Sequence, residues 1–189
     1  MKYEGLLKQK MSGECYQKLA ALKNEKVMDF IGAFTEHCDP ASLFVCTDSE
    51  SDIQYVRDQA LALGEELTLK LPKQTIHWDS YGDQARDKVN TRYLVKKENF
   101  ESMKALNSVE YEQGYAEIME IAKGIMKGKP AVILFFSEGP TESPFTIPCV
   151  QFTDSWYVAH SEYILYRSAY SHFLAMKEAE KADFFRFIH

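Results

Sequence analysis

The sequence predicts a mixed α/β fold, a central mixed sheet flanked by helices, and three observations carry that prediction. Six consecutive apolar residues, Ala131-Val132-Ile133-Leu134-Phe135-Phe136, have the length of one buried strand and are too short for a helix. Ser137-Glu138-Gly139-Pro140 then punctuates their end as a turn. Upstream, Val27, Phe30, Ile31 and Phe34 recur at the i, i+3, i+4, i+7 spacing of a buried helix face, and short apolar runs alternate with such helical patterns.

Taken in order, residues 16–22 read as a short helix, and Asn24 can cap a second one that ends at Asp39-Pro40. Residues 42–46 read as a short buried strand. Thr47, Asp48, Ser49 and Asp52 supply turn and cap chemistry for a helix over 53–63, which Gly64 closes. Leu67, Leu69 and Leu71 alternate with Thr68 and Lys70 in the manner of a strand. Residues 72–91 show little periodicity, and a long loop of this kind in a compact domain is often functional. A strand is expected over 92–95. Residues 111–126 form the clearest amphipathic helix, with Tyr115, Ile118, Met119, Ile121, Ala122 and Ile125 on its apolar positions. A second extended run, 145–152, follows the 131–136 strand, and residues 173–182 read as a surface helix. The aromatic run Phe184-Phe185-Arg186-Phe187-Ile188 directly before His189 has two readings, a terminal strand tied into a sheet or a site where a longer protein was cut.

The 189 residues suit one domain with its own core, and 46% hydrophobic against 26% charged residues places the chain among globular proteins. A net charge of −6, with its cations dispersed, argues against a nucleic-acid surface, which needs a basic face. No apolar run is long enough to span a membrane, and residues 1–6 carry no secretory h-region. Cys15, Cys38, Cys46 and Cys149 are scattered without a Cys-x-x-Cys pair, which suits a reducing cytoplasm. The histidines lack metal-motif spacing.

Three constellations could carry chemistry. Arg86, Lys88 and Arg92 could hold a carboxylate or phosphate, since guanidinium presents a bidentate donor fork; the plainer alternative is a solvated charged loop. Ser137, Asp154 and His160 supply the residue types of a hydrolytic triad, but no Gly-x-Ser-x-Gly elbow surrounds Ser137. Cys149 with His160 could act as thiol and base, although Cys149 falls in an expected buried strand, where cysteine behaves as a small hydrophobe. No glycine-rich phosphate cradle occurs in the sequence.

Several separated motifs resemble one family in order and spacing. They are Gly124-Ile125-Met126-Lys127-Gly128-Lys129, the 131–136 strand, Ser137-Glu138-Gly139-Pro140, Ser143-Pro144, Thr153-Asp154-Ser155-Trp156-Tyr157-Val158 and Tyr166-Arg167. Ala85-Arg86-Asp87-Lys88, Asn90-Thr91 and Tyr93-Leu94 resemble the same family's substrate loop, and the run from Asp183 to His189 also has a counterpart. Together they are similar to the N-terminal domain of GTP-dependent phosphoenolpyruvate carboxykinase, in its archaeal-type branch. The likeness treats 1–189 as a single substrate-side domain, with 1–15 a weakly matched extension.

The resemblance implies a gluconeogenic carboxy-lyase that converts oxaloacetate and GTP to phosphoenolpyruvate, GDP and CO2, with Mn2+ or Mg2+. It implies substrate binding by Arg86, with Lys88 and Thr91 beside it, and no catalytic or metal-ligating residue within this chain. The family's metal ligands, phosphate loop and second substrate arginine would follow His189. The chain alone is therefore expected to be inactive and to need a C-terminal nucleotide-binding domain as partner, with oxaloacetate or phosphoenolpyruvate as ligand. A non-catalytic ligand-binding or interaction module on the same scaffold is the alternative.

Overall fold

The computed structural model describes residues 2–78 and 90–189, and it resolves into two compact units. The first comprises Met1–His77 and Met126–His189; the second is Trp78–Ile125.

The first unit opens with two short helices, α1 (Glu4–Lys10) and α2 (Gly13–Ala21). Ser12 caps α2 by accepting the Cys15 N–H at 3.1 Å. Helix α3 (Glu25–Cys38) begins where Asn24 Oδ1 accepts the N–H groups of Lys26 and Val27, at 3.1 and 3.2 Å. Its apolar stripe packs as the spacing requires, with Val27 and Ile31 fully buried. At Gly32 a Cβ would stand 2.3 Å from Tyr3, so glycine permits α1 and α3 to approach closely. Asp39 then leaves the helix in the left-handed region at φ 51°, with its N–H on Thr35 O.

Strand β1 (Ser42–Val45) follows, then α4 (Glu50–Ala62), capped by Ser49 through the Asp52 N–H. The expected strand over 67–71 shortens to β2 (Leu67–Thr68), paired antiparallel with β3 (Thr75–Ile76). Leu69 and Leu71 are exposed, so alternation there marks a solvated hairpin and no buried face.

In the second unit, β4 (Tyr93–Val95) runs parallel to β5 (Ser108–Glu110), which passes directly into α5 (Tyr111–Ala122). The Glu110 carboxylate caps this helix by accepting from Glu112 and Gln113. Helix α5 is shorter than its periodicity suggests, because Lys123 turns extended and Gly124 enters φ 65°. Its contact with the strands is made by Gly114, where a Cβ would lie 2.4 Å from Leu94 and 2.6 Å from Val109. Tyr115, Ile118 and Ile121 are exposed.

The first unit resumes with its longest strand, β6 (Pro130–Glu138), followed by β7 (Ile147–Thr153), α6 (Trp156–Leu165), β8 (Arg167–Ser168), α7 (Tyr170–Ala175) and β9 (Phe185–Ile188). The sheet has the order β1-β6-β7-β9, with β8 also on β6. It is mixed: β6 pairs parallel with β1 and antiparallel with β7 and β8, while β9 lies parallel to β7. Residues 131–137 are buried on both faces, which explains a run of apolar residues without alternation. Val132, Leu134 and Phe136 face a cluster containing Val56, Ala60, Trp156 and Ala159. On the opposite side Phe135 meets Tyr170 and Phe173, with ring centroids 5.5 and 5.1 Å away. The final aromatic run is a sheet strand, and the His189 N–H donates to Phe152 O at 3.0 Å.

The surface helix expected over 173–182 is corrected to α7, with a separate 3-10 turn at Glu178–Glu180. The physical reason lies far away in sequence. The Asp48 carboxylate accepts the N–H groups of Tyr170 and Ser171 at 2.8 and 2.6 Å and the Ser168 hydroxyl, so the helix starts early on a distant cap. Burial pushes the Asp48 carboxyl up, yet the hydrogen bonds from Ser168, Ser171 and Tyr170 outweigh it and hold the group below its ordinary 3.8. A depressed folded value means stability that is present above 3.8 and lost as pH falls through the folded pKa. Asp48→Ala should therefore cost about 1–2 kcal/mol near pH 7, as loss of a cap does. Urea denaturation should show that difference narrowing as pH falls below 3.8, and a gap independent of pH would contradict this role.

Candidate functional site

Of the substrate-loop residues singled out in the sequence, Arg86 and Lys88 lie outside the described residues, and Thr91 lies within them. Thr91 is exposed just before β4, and its carbonyl accepts from Asn107 Nδ2 at 2.8 Å. Asn107 also accepts the Tyr93 N–H at 2.9 Å, so one residue fixes the chain on both sides of Arg92. Arg92 itself is committed to Glu117, Nη2 to Oε1 at 2.8 Å. The hydrogen bond and the charge of Glu117 raise the Arg92 pKa, and Arg92 lowers that of Glu117 in return. Arg92 thus serves the second unit's own surface and already has a carboxylate partner.

Upstream of the loop, a network in the first unit fixes His77. Its ring stacks on Tyr157 with centroids 3.3 Å apart and planes 11° from parallel. Its Nδ1 lies 2.6 Å from Glu65 O, a distance that places the donor hydrogen on Nδ1. The Glu65 side chain reaches the start of α6, where Oε2 accepts the Tyr157 N–H at 2.9 Å and the Ser155 hydroxyl at 3.2 Å. A carboxylate there answers both the open N–H groups and the helix dipole. Next to it, Glu66 is buried and holds His160 Nδ1 at 2.7 Å. These residues carry no periodic signal. The one available clue is a carboxylate pair directly after Gly64.

The triad types do not assemble. Ser137 is fully buried within β6 and donates to Glu138 O at 3.0 Å. Asp154 pairs with Lys129 at 2.7 Å, and His160 is engaged by Glu66. Asp154 raises the Lys129 pKa through its hydrogen bond and charge, so this carboxylate serves an ion pair. Cys149 is buried in β7, its thiol pushed up to about 11 by burial and its Sγ on Ile147 O at 3.4 Å. A thiol so far from ionising is a poor nucleophile. Among the described residues, no three His, Cys, Asp or Glu side chains converge as a metal cage, and no helix is long and apolar enough to cross a membrane.

The family description "Phosphoenolpyruvate carboxykinase N-terminal domain" matches residues 29–189. Phosphoenolpyruvate carboxykinase [GTP] of Pyrococcus horikoshii is 48% identical over 183 residues, covering 97% of this chain and 29% of that protein. The enzyme of the same name from Thermococcus kodakarensis is 45% identical over 183 residues, again 97% of this chain and 29% of the relative. That of Saccharolobus solfataricus is 35% identical over 176 residues, 93% of this chain and 28% of the relative. The chain thus spans under a third of the length of these curated relatives.

Proposed function

The chain belongs to the phosphoenolpyruvate carboxykinase N-terminal domain family, and we propose that it is the substrate-side part of a GTP-dependent phosphoenolpyruvate carboxykinase. The observation that carries this reading is 48% identity to the Pyrococcus horikoshii enzyme across 97% of the chain. In it, oxaloacetate and GTP become phosphoenolpyruvate, GDP and CO2, in the cytoplasm, and the chain's own task is to bind and orient the three-carbon or four-carbon acid. Arg86 grips the carboxylate or phosphate with its paired N–H donors, and Lys88 and Thr91 stand beside it. On either side of Arg86 and Lys88 in sequence, His77 is held by Tyr157 and Glu65, and Thr91 by Asn107.

GTP and the Mn2+ or Mg2+ that accompanies it belong, in this proposal, to the nucleotide-binding domain that completes the enzyme. Among the described residues, no three His, Cys, Asp or Glu side chains converge. The experiment is a calorimetric titration of phosphoenolpyruvate into the 189-residue chain, with oxaloacetate turnover followed in parallel under GTP and Mn2+. Saturable binding that oxaloacetate displaces, without turnover, is the expected result. Absence of binding would leave a non-catalytic interaction module, and robust turnover would show that the catalytic groups lie within this chain.

A further inference from the structure

Two cavities of the first unit contain cations, and they differ in how those cations are answered. The larger, about 610 Å³, is bordered by Lys10 and Lys18. Lys10 is paired with Asp39 at 2.9 Å, and Lys18 with both Glu14 and Asp52 at 2.9 and 3.0 Å. Its positive charge is neutralised from within the protein. The smaller, about 320 Å³, is lined by Glu50, Ile53, Gln54, Arg57, Lys73 and His160. Arg57 is half-buried on α4 and Lys73 exposed in the turn between β2 and β3, and neither has an ion-pair or hydrogen-bond partner among the described residues. A guanidinium on the cavity wall with no acceptor from the described protein residues keeps its paired N–H donors open to a ligand oxyanion.

His160 completes the geometry. Glu66, 5% exposed, binds its Nδ1 at 2.7 Å, and this fixes the ring from behind. The ring nitrogen left for the cavity is Nε2. Among the described residues, the only carboxylate lining the cavity is the exposed Glu50, set against two cations with no ion-pair partner there.

We propose that this cavity binds a small multivalent oxyanion, a phosphate group or a di- or tricarboxylate, held by the Arg57 fork, the Lys73 ammonium and the Nε2–H of His160 in its protonated, imidazolium form. The site shares no residue with Arg86, Lys88 and Thr91, and its existence does not rest on the carboxykinase reading. Its three groups come from α4, the β2-β3 hairpin and α6, so an occupied site adds a shared ligand to elements already linked through Glu65 and Glu66. The hairpin's outgoing strand, β3, ends immediately before His77.

The test follows His160 ring-proton and Arg57 side-chain NMR resonances in the 189-residue chain while inorganic phosphate or, separately, succinate is added. Saturable shifts of both sets of resonances are expected. Arg57→Gln and Lys73→Gln should each weaken binding about tenfold, the scale of one charge-assisted contact, while Arg86→Ala leaves it unchanged. Lys73 is exposed, so its substitution remains informative even where that of Arg57 disturbs folding. A response to phosphate alone assigns a phosphorylated ligand, to succinate alone a carboxylate, and to both a general oxyanion. Linear, unsaturated shifts would overturn the site, as would binding indifferent to both Arg57→Gln and Lys73→Gln. Loss of binding in Arg86→Ala would transfer it to the substrate loop.

Discussion

If Arg86 grips the substrate as proposed, Arg86→Ala should weaken phosphoenolpyruvate binding to the 189-residue chain about a hundredfold, within the range set by removing one member of a hydrogen-bonded charge pair. Such a loss costs about 2–5 kcal/mol, and each 1.4 kcal/mol is about tenfold in affinity. The size of the effect comes from what remains after truncation, a multivalent anion on the protein with fewer donors than it had in water. Arg86→Lys should restore only part of the affinity, because an ammonium keeps the charge and loses the planar fork that meets two oxygens at once. Lys88→Ala and Thr91→Ala should act in the same direction and more weakly. Equal affinity of wild type and Arg86→Ala by calorimetry would remove Arg86 from the site.

Phe135→Ala destabilises the first unit by about 3–5 kcal/mol, the cost of emptying an aromatic position in a packed core. Phe135 is 0% exposed at the centre of β6, and its ring meets Tyr170 and Phe173 edge-on. Both neighbours belong to or adjoin α7, whose start Asp48 already fixes, so collapse of the wall into the void is restricted. Phe185→Ala provides the contrast: its side chain is 61% exposed, and the same chemical change should cost less than about 0.5 kcal/mol. Urea denaturation measures both, and a Phe135 penalty below that of Phe185 would refute the account of the core.

The parts of this fold that were legible in the sequence are those whose cause lies within a few residues. Asn24 caps α3 because its acceptor reaches two and three residues ahead, and Gly64 ends α4 because it tolerates φ 73°. The 131–136 run announced a buried strand because every position was apolar. The parts that were not legible depend on partners far along the chain. The beginning of α7 is set by Asp48, more than a hundred residues earlier, and the beginning of α6 by Glu65, 92 residues earlier. Helix α5 has the apolar period of a buried helix, yet the residue that packs is Gly114, whose missing side chain contributes nothing to a hydrophobic pattern. For the site, spacing alone permitted Arg86, Lys88 and Arg92 equally. The structure gives Arg92 to Glu117, and family resemblance is what favours Arg86.

Asn24 has a consequence for how the protein comes apart. Its carbonyl oxygen seals the start of α3, while its amide donates to Lys181 O at 3.0 Å, across 157 residues of sequence. Lys181 returns the contact, its ammonium reaching Lys23 O at 2.7 Å. The approach to the last sheet strand and the first turn of an early helix are therefore stitched into one cooperative element. Detachment of β9 is coupled through these bonds to fraying at the beginning of α3.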